Sequence, residues 1–155
     1  MARKIGINCK AYINTATTDT WDTPTWTELI LVQDVQLELT KNTTEVTIRG
    51  ALWDLFMGTT KAAAITIGML YDTGDANFKK FRDAFLNNTQ LDLALMDGDI
   101  TVEGSQGLRA IFDVTKFSAP QPLKEALKTE FDVALTYNNA DDGAFAPPTW
   151  LEVEA

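Results

Sequence analysis

Along most of this chain apolar and polar residues alternate with a period of two, the pattern of strands that are dry on one face and wet on the other. Ile5, Ile7, Cys9, Ala11 and Ile13 take one side of the first such run, with Lys4, Gly6, Asn8, Lys10 and Tyr12 on the other. Val35, Leu37 and Leu39 then alternate with Asp34, Gln36, Glu38 and Thr40. The polar run Lys41-Asn42-Thr43-Thr44 interrupts them before Val46 and Ile48 resume, which predicts a hairpin turning at 41–44. Ala62 to Tyr71 is apolar at both parities, as in a strand covered on both faces. Further strands are predicted over Leu91–Met96, Leu108–Phe117 and Phe131–Tyr137.

One segment changes period. Phe78, Phe81 and Phe85 fall at i, i+3 and i+7, with Lys79, Lys80, Arg82 and Asp83 on the other side. Asp75 is placed to cap the start of this helix, and Asn87-Asn88 to end it. Residues 14–25, rich in Thr, Asp, Asn and Pro around Trp21, predict an exposed loop with one aromatic anchor. Ala119-Pro120-Gln121-Pro122 breaks the chain before the last strand, and 122–128 is expected to be irregular. The predicted fold is mainly β: an antiparallel sandwich or barrel with one flanking helix at about residues 75–87. A single domain spans 1–137, and 138–155, which contains Asp141-Asp142-Gly143 and Pro147-Pro148, is expected to be a loosely held arm.

The length of 155 residues with 45% apolar content suits one ordinary core. No apolar run reaches the ~18 residues of a membrane span, and neither a span nor a signal peptide is expected. The lone Cys9 fits folding in a reducing cytoplasm. Thirteen basic against 22 acidic residues give a net charge of -9, which disfavours tight binding to phosphate backbones. With no histidine, the commonest general base and metal ligand are missing.

The motifs that carry chemistry elsewhere have plainer explanations here. Leu70-Tyr71-Asp72-Thr73-Gly74 resembles the Asp-Thr-Gly of a dimeric aspartic protease, but Asp75 adds a charge beside the dyad; a strand-to-helix turn explains it better. Asp97-Gly98-Asp99 and Asp141-Asp142-Gly143 lack the remaining ligands of a calcium loop and read as turns. Trp21, Trp26, Trp53 and Trp150 read as anchors in a core or a protein interface rather than a stacking platform. Asp34, Glu38, Asp92, Glu130 and Asp132 alternate with core positions and are expected on solvated sheet faces. No catalytic, cofactor or metal site is assigned, and the chain is not expected to be an enzyme.

Several strings nevertheless occur in a recognisable order: Trp26-Thr27-Glu28-Leu29, Glu45-Val46-Thr47 with Arg49-Gly50 and Trp53, and a turn at Gly58. Phe81 to Asn87, Leu91 to Gly98, Gly107-Leu108-Arg109, Thr115 to Ser118 and Pro122 to Ala126 follow. In this order they resemble the major tail (tail tube) proteins of long-tailed bacteriophages and gene transfer agents. The resemblance implies a virion subunit, made in the host bacterial cytoplasm, that forms stacked hexameric rings around a channel for DNA. It implies no cofactor or membrane; the partners are copies of itself and the tail-terminator, tape-measure and distal tail proteins. On that reading Asp34, Glu38, Glu130 and Asp132 are the candidate lumen-lining residues, and Lys41, Asn42, Thr43, Thr44, Arg49, Trp53 and Phe56 the candidate subunit or ring interface. Two other readings stay open: the tube of a contractile tail or injection machine, and a monomeric β-sandwich binding module using its tryptophans.

Overall fold

The alternating runs become eight strands in the computed structural model, which describes residues 3, 5–16, 21–136 and 147–154. In chain order they are β1 (Lys10–Asn14), β2 (Trp26–Glu28), β3 (Val32–Glu45), β4 (Phe56–Leu70), β5 (Gln90–Met96), β6 (Gln106–Ser118), β7 (Lys128–Leu135) and β8 (Thr149–Glu152), with helix α1 (Ala76–Asn87) between β4 and β5. The strands form one antiparallel sheet in the order β2-β1-β5-β6-β7-β4-β3, and β8 pairs with the start of β6. The sheet curls into a half-barrel, so Ala11, Ile13 and Leu93 from one end share a core with Ile65, Ile67, Phe131 and Val133 from the other. β6 makes the corner: Gln106–Arg109 pairs with β5 and β8, whereas 112–118 pairs with β7. A bulge between Val114 and Lys116 bends β6 there, and the Thr115 hydroxyl donates to the Asp132 carbonyl oxygen at 3.1 Å.

Helix α1 lies over the core as its period demands. Asp75 caps it, its carboxylate accepting from the Phe78 N–H at 3.1 Å, and Asn88 ends it in the left-handed region at φ 55°. Phe78, Phe81 and Ala84 are buried; Phe85 lies on the same stripe but at the sheet's margin, 36% exposed and 6.2 Å from Phe117 ring to ring. Phe131 is the hub, with Phe117, Phe81 and Phe78 at 5.0, 5.2 and 6.2 Å between centroids. Asp75→Ala is expected to cost about 1 kcal/mol, read as a lower urea midpoint with an unchanged slope.

Four expectations are corrected. The first alternating run does not become a strand from residue 4, because β5 runs out at Met96, opposite Lys10. Before that point the backbone satisfies itself in a 3-10 turn at Gly6–Asn8, leaving Ile5 and Ile7 exposed. The polar run 41–44 is not a turn: β3 continues to Glu45 and pairs with Phe56–Leu70, not with 46–49. There Asn42 Nδ2 donates to Thr60 Oγ1 and the Thr59 hydroxyl donates to the Asn42 carbonyl, each at 3.0 Å, so these polar residues serve a ladder. Gly58 accordingly sits within β4, where the Lys41 side chain lies across it, and the turn comprises residues 46–55. Finally, the end of the supposed loose arm is a strand: β8 pairs with β6 and packs Leu151 and Val153 against Tyr12 and Met96. Tyr137 and residues 138–146 lie outside the described residues.

Candidate assembly surfaces

Directly paired residues share a face, so the register alone divides the sheet's outer side in two. Over β1, β5 and the start of β6 that side is covered: Tyr12, Ala94 and Met96 are buried beneath Trp26, Ile100, Leu151 and Val153. Over β3, β4 and β7 no element covers it among the described residues. Asp34 pairs with Gly68 and Gly68 with Glu130; Gln36 pairs with Thr66 and Thr66 with Asp132; Glu38 pairs with Ala64. The register thus brings Asp34, Glu38, Glu130 and Asp132 onto one face. Thr66 donates to Asp132 Oδ1 at 3.0 Å. Among the described residues none of the four is ion-paired.

The bare half also explains β4. Its inner positions Ala63, Ile65, Ile67 and Met69 are buried, but its outer positions are Ala62 and Ala64, exposed, and Thr66, Gly68 and Leu70, half-buried. The expectation that both faces are covered is therefore corrected within this chain. Small side chains make this strand read as apolar on both faces, and they leave a flat surface that the acidic residues border.

The seven interface candidates occupy one feature. Among the described residues β7 pairs with β4 only from Ala64 onward, so Phe56–Ala63 and its partner Leu39–Glu45 run on there as a two-stranded ribbon. Lys41, Asn42, Thr43, Thr44, Arg49, Trp53 and Phe56 are all exposed on it or on its tip. Leu52, Trp53, Ile48 and Phe56 are 99, 80, 64 and 63% exposed. A lone two-stranded ribbon is marginal in water, and an apolar tip of this kind is usual at interfaces.

Two further surfaces matter. The outer edge of β3 has no strand partner among the described residues, although its 14 residues make an edge that proteins seldom leave open. The two ends of the curled sheet also fail to meet. Between β1 with β5 and the first part of β3 lies an open groove of about 960 Å³. Lys10 at its rim is held by Glu28 at 3.5 Å and Asp99 at 3.4 Å. Glu28 above all raises the Lys10 pKa, so this contribution is complete below the ordinary 10.5 and fades as pH rises through the shifted value.

What the sequence reading missed is the polar centre of the covered half. Arg109 Nη2 donates to Asp92 Oδ2 at 2.8 Å and Nε to Oδ1 at 3.3 Å, both side chains being about nine-tenths buried. Asn14 Nδ2 also donates to Asp92 at 3.0 Å, while its Oδ1 accepts from the backbone of Ala16 and Thr25. The guanidinium lies 3.9 Å from the Trp21 ring and 5.0 Å from that of Trp26. Asp92 is therefore not on a solvated face. Trp21 and Trp26 are anchors, whereas Trp53 and Trp150 are exposed. Arg109, the one basic residue in the apolar run 107–112, was the available signal.

The enzyme-like strings resolve as turns. Asp72 accepts from the Gly74 N–H at 2.8 Å, and Asp99 accepts from the Thr101 N–H and hydroxyl at 2.9 and 2.8 Å. Those Thr101 bonds hold the Asp99 carboxyl below its ordinary range. Among the described residues no group of three potential ligands could hold a metal.

No protein-family model matches this chain, and no curated protein matches it in sequence. Solved structures do match in fold. The tail of an empty GTA particle, determined with C6 symmetry, superposes with a TM-score of 0.71 at 11% identity, over 96% of this chain and 99% of that one. The SPP1 tail tube gives 0.73 at 9% identity, over 99% of this chain and 81% of that one. A chain of the six-fold symmetrised anti-feeding prophage (AFP) baseplate gives 0.63 at 7% identity, over 100% of this chain and 99% of that one. These likenesses establish a tail-tube fold.

Proposed function

We propose that this chain is the structural subunit of a virion tail tube, in which copies join into six-membered rings that stack around a channel for DNA. One observation carries the reading: nearly the whole chain has the tail-tube fold, and the surfaces it leaves unfinished are those a tube would complete. Pairing the open edge of β3 with another copy would remove an aggregation hazard, and closure of the ring would leave no edge at all. Head-to-tail contacts that close make rings, and those that do not close propagate along an axis.

In this reading the bare half of the sheet faces the channel. Double-stranded DNA carries one negative charge per about 1.7 Å, so a wall bearing Asp34, Glu38, Glu130 and Asp132 repels it and lets it slide. The protein's role is architectural rather than catalytic, its site is the virion tail, and it is made in the host bacterial cytoplasm. Tail-terminator, tape-measure and distal tail proteins would be its partners at the ends and inside. The fit to the AFP baseplate chain keeps the tube of a contractile machine as the second reading; binding of a sheath protein to the outer surface would favour it.

Sedimentation of concentrated protein, with negative-stain microscopy of the fast fraction, tests the proposal. Hollow tubes of uniform width are expected, and a monomer at every concentration would refute it. The charge mechanism has its own test. Changing Asp34, Glu38, Glu130 and Asp132 to lysine is expected to raise the amount of duplex DNA that co-sediments with tubes by on the order of tenfold at low salt, falling as salt rises. Unchanged DNA retention would remove the acidic-wall explanation.

A further inference from the structure

Within the tube reading, on which this rests, we infer that Lys116 and Lys128 are phosphate-contact residues, two cations set into the acidic wall at which passing DNA is briefly held. A bulge decides where Lys116 points. Phe112 and Val114 lie on the core side of β6, so unbroken alternation would send residues 116 and 118 to the core and 117 outward. The extra residue, Thr115, reverses the parity beyond it. Phe117 now pairs with Phe131 and stacks on it at 5.0 Å, while Lys116 pairs with Asp132 and Ser118 with Glu130. Lys116 is thereby delivered, exposed, to the face that carries Asp34, Glu38, Glu130 and Asp132. Lys128 reaches the same face by plain register, since it pairs with Leu70 two residues before Glu130 pairs with Gly68.

Charge on this face is therefore patterned across the strands. β3 brings Asp34 and Glu38 and no cation between residues 34 and 40, and β4 brings the neutral Ala64, Thr66 and Gly68. Both lysines stand on the β7 and β6 side. Neither is tied down. Asp132, directly opposite Lys116, accepts from Thr66 Oγ1 at 3.0 Å, and among the described residues neither lysine makes an ion pair. An exposed ammonium has three hydrogens to donate, and the phosphate oxygens of a duplex in the channel are acceptors of the complementary charge. The carboxylates one or two strand spacings away, about 5–10 Å, repel the same phosphates. Each contact is consequently weak, and it breaks as the DNA advances.

Lysine footprinting tests this directly. Tubes of the unaltered protein, assembled with or without a short linear duplex, are treated with limiting acetic anhydride, and acetylation of each lysine is read by mass spectrometry. Lys79 and Lys80 on α1, across the core from this face, are the internal reference. The expected result is that the duplex slows acetylation of Lys116 and Lys128 several-fold and leaves Lys79 and Lys80 unchanged, with the protection fading as salt rises. As a second measurement, Lys116→Gln with Lys128→Gln, exposed changes that leave the fold intact, should lower the duplex that pellets with tubes by roughly threefold at low salt and flatten its dependence on salt. A duplex that leaves both lysines as reactive as before, or shields Lys79 and Lys80 equally, would overturn the phosphate contacts and leave the tube reading standing. Unchanged pelleting by the double variant would do the same. Failure of the unaltered protein to polymerise at all would overturn both.

Discussion

Replacing residues 46–55 by a two-residue Asn-Gly turn is expected to give a folded subunit that no longer polymerises. Glu45 and Phe56 are direct partners, so a two-residue turn closes the ladder without changing its register. The deleted segment contributes nothing to the described core, and Leu52 and Trp53 are almost wholly exposed. The subunit's own stability should accordingly stay within about 1 kcal/mol of the parent, measured by denaturant unfolding. Assembly should be lost, because a large exposed apolar surface would be gone and with it the contact that orders a marginal ribbon. Sedimentation at a concentration where the parent forms tubes reads the outcome. A shortened chain that polymerised as well as the parent would show the tip to be ornamental and would remove the ribbon from the interface.

The second large effect concerns the folded subunit itself. Arg109→Leu is expected to destabilise it by about 3–5 kcal/mol, because it leaves Asp92 charged and enclosed without its partner. It also removes the cation between Trp21 and Trp26, so tryptophan fluorescence should change even in native buffer. Arg109→Lys should rescue only part of the loss, since an ammonium keeps the charge but neither the two-pronged bond to Asp92 nor the flat stack on the indoles. Pairing Arg109→Leu with Asp92→Leu should recover more than half of the stability, as replacing both members of an enclosed pair is far milder than orphaning one. A single-variant loss under about 1 kcal/mol would mean that water reaches Asp92 and that the loop bearing Trp21 does not seal the site.

Much of this architecture could be read from residue order, and the misreadings share a cause. The Phe78–Phe81 stripe, the Asp75 cap and the strands after α1 are local signals, and they hold to within two residues at most described boundaries. Alternation, by contrast, says only that two faces differ, not what lies against each. Asp92 and Asp132 look alike in sequence, each an acid between apolar neighbours. Asp132 stays half-exposed, whereas Asp92 is enclosed because Asn14 and Arg109, the latter stacked on Trp21 and Trp26, all far away in sequence, close around it. The run 41–44 misleads for a related reason: Asn and Thr serve turns and ladders equally, and only the partner at 57–61 decides. At the N-terminus the alternating pattern is real, but β5 ends before it can be paired.

Of the candidate surfaces, the four acidic residues were the more legible, since strands of known parity must place Asp34 with Glu38 and Glu130 with Asp132. That β3 and β7 flank the same strand, which puts both pairs on one surface, needed the fold. The interface set was legible by type, through exposed Trp53 and Phe56, but its shape was not. A polar turn was expected, and the structure has a two-stranded ribbon with an apolar tip instead.

In the proposed tube, built from copies of this chain, the bare face of β3, β4 and β7 is the inner wall. A helical reconstruction by electron cryo-microscopy of polymerised protein tests it most directly. The expected result is a hollow cylinder with Asp34, Glu38, Glu130 and Asp132 on its inner surface and α1 away from the channel. A cylinder with that face turned outward, or protein that stays monomeric at every concentration, would contradict it.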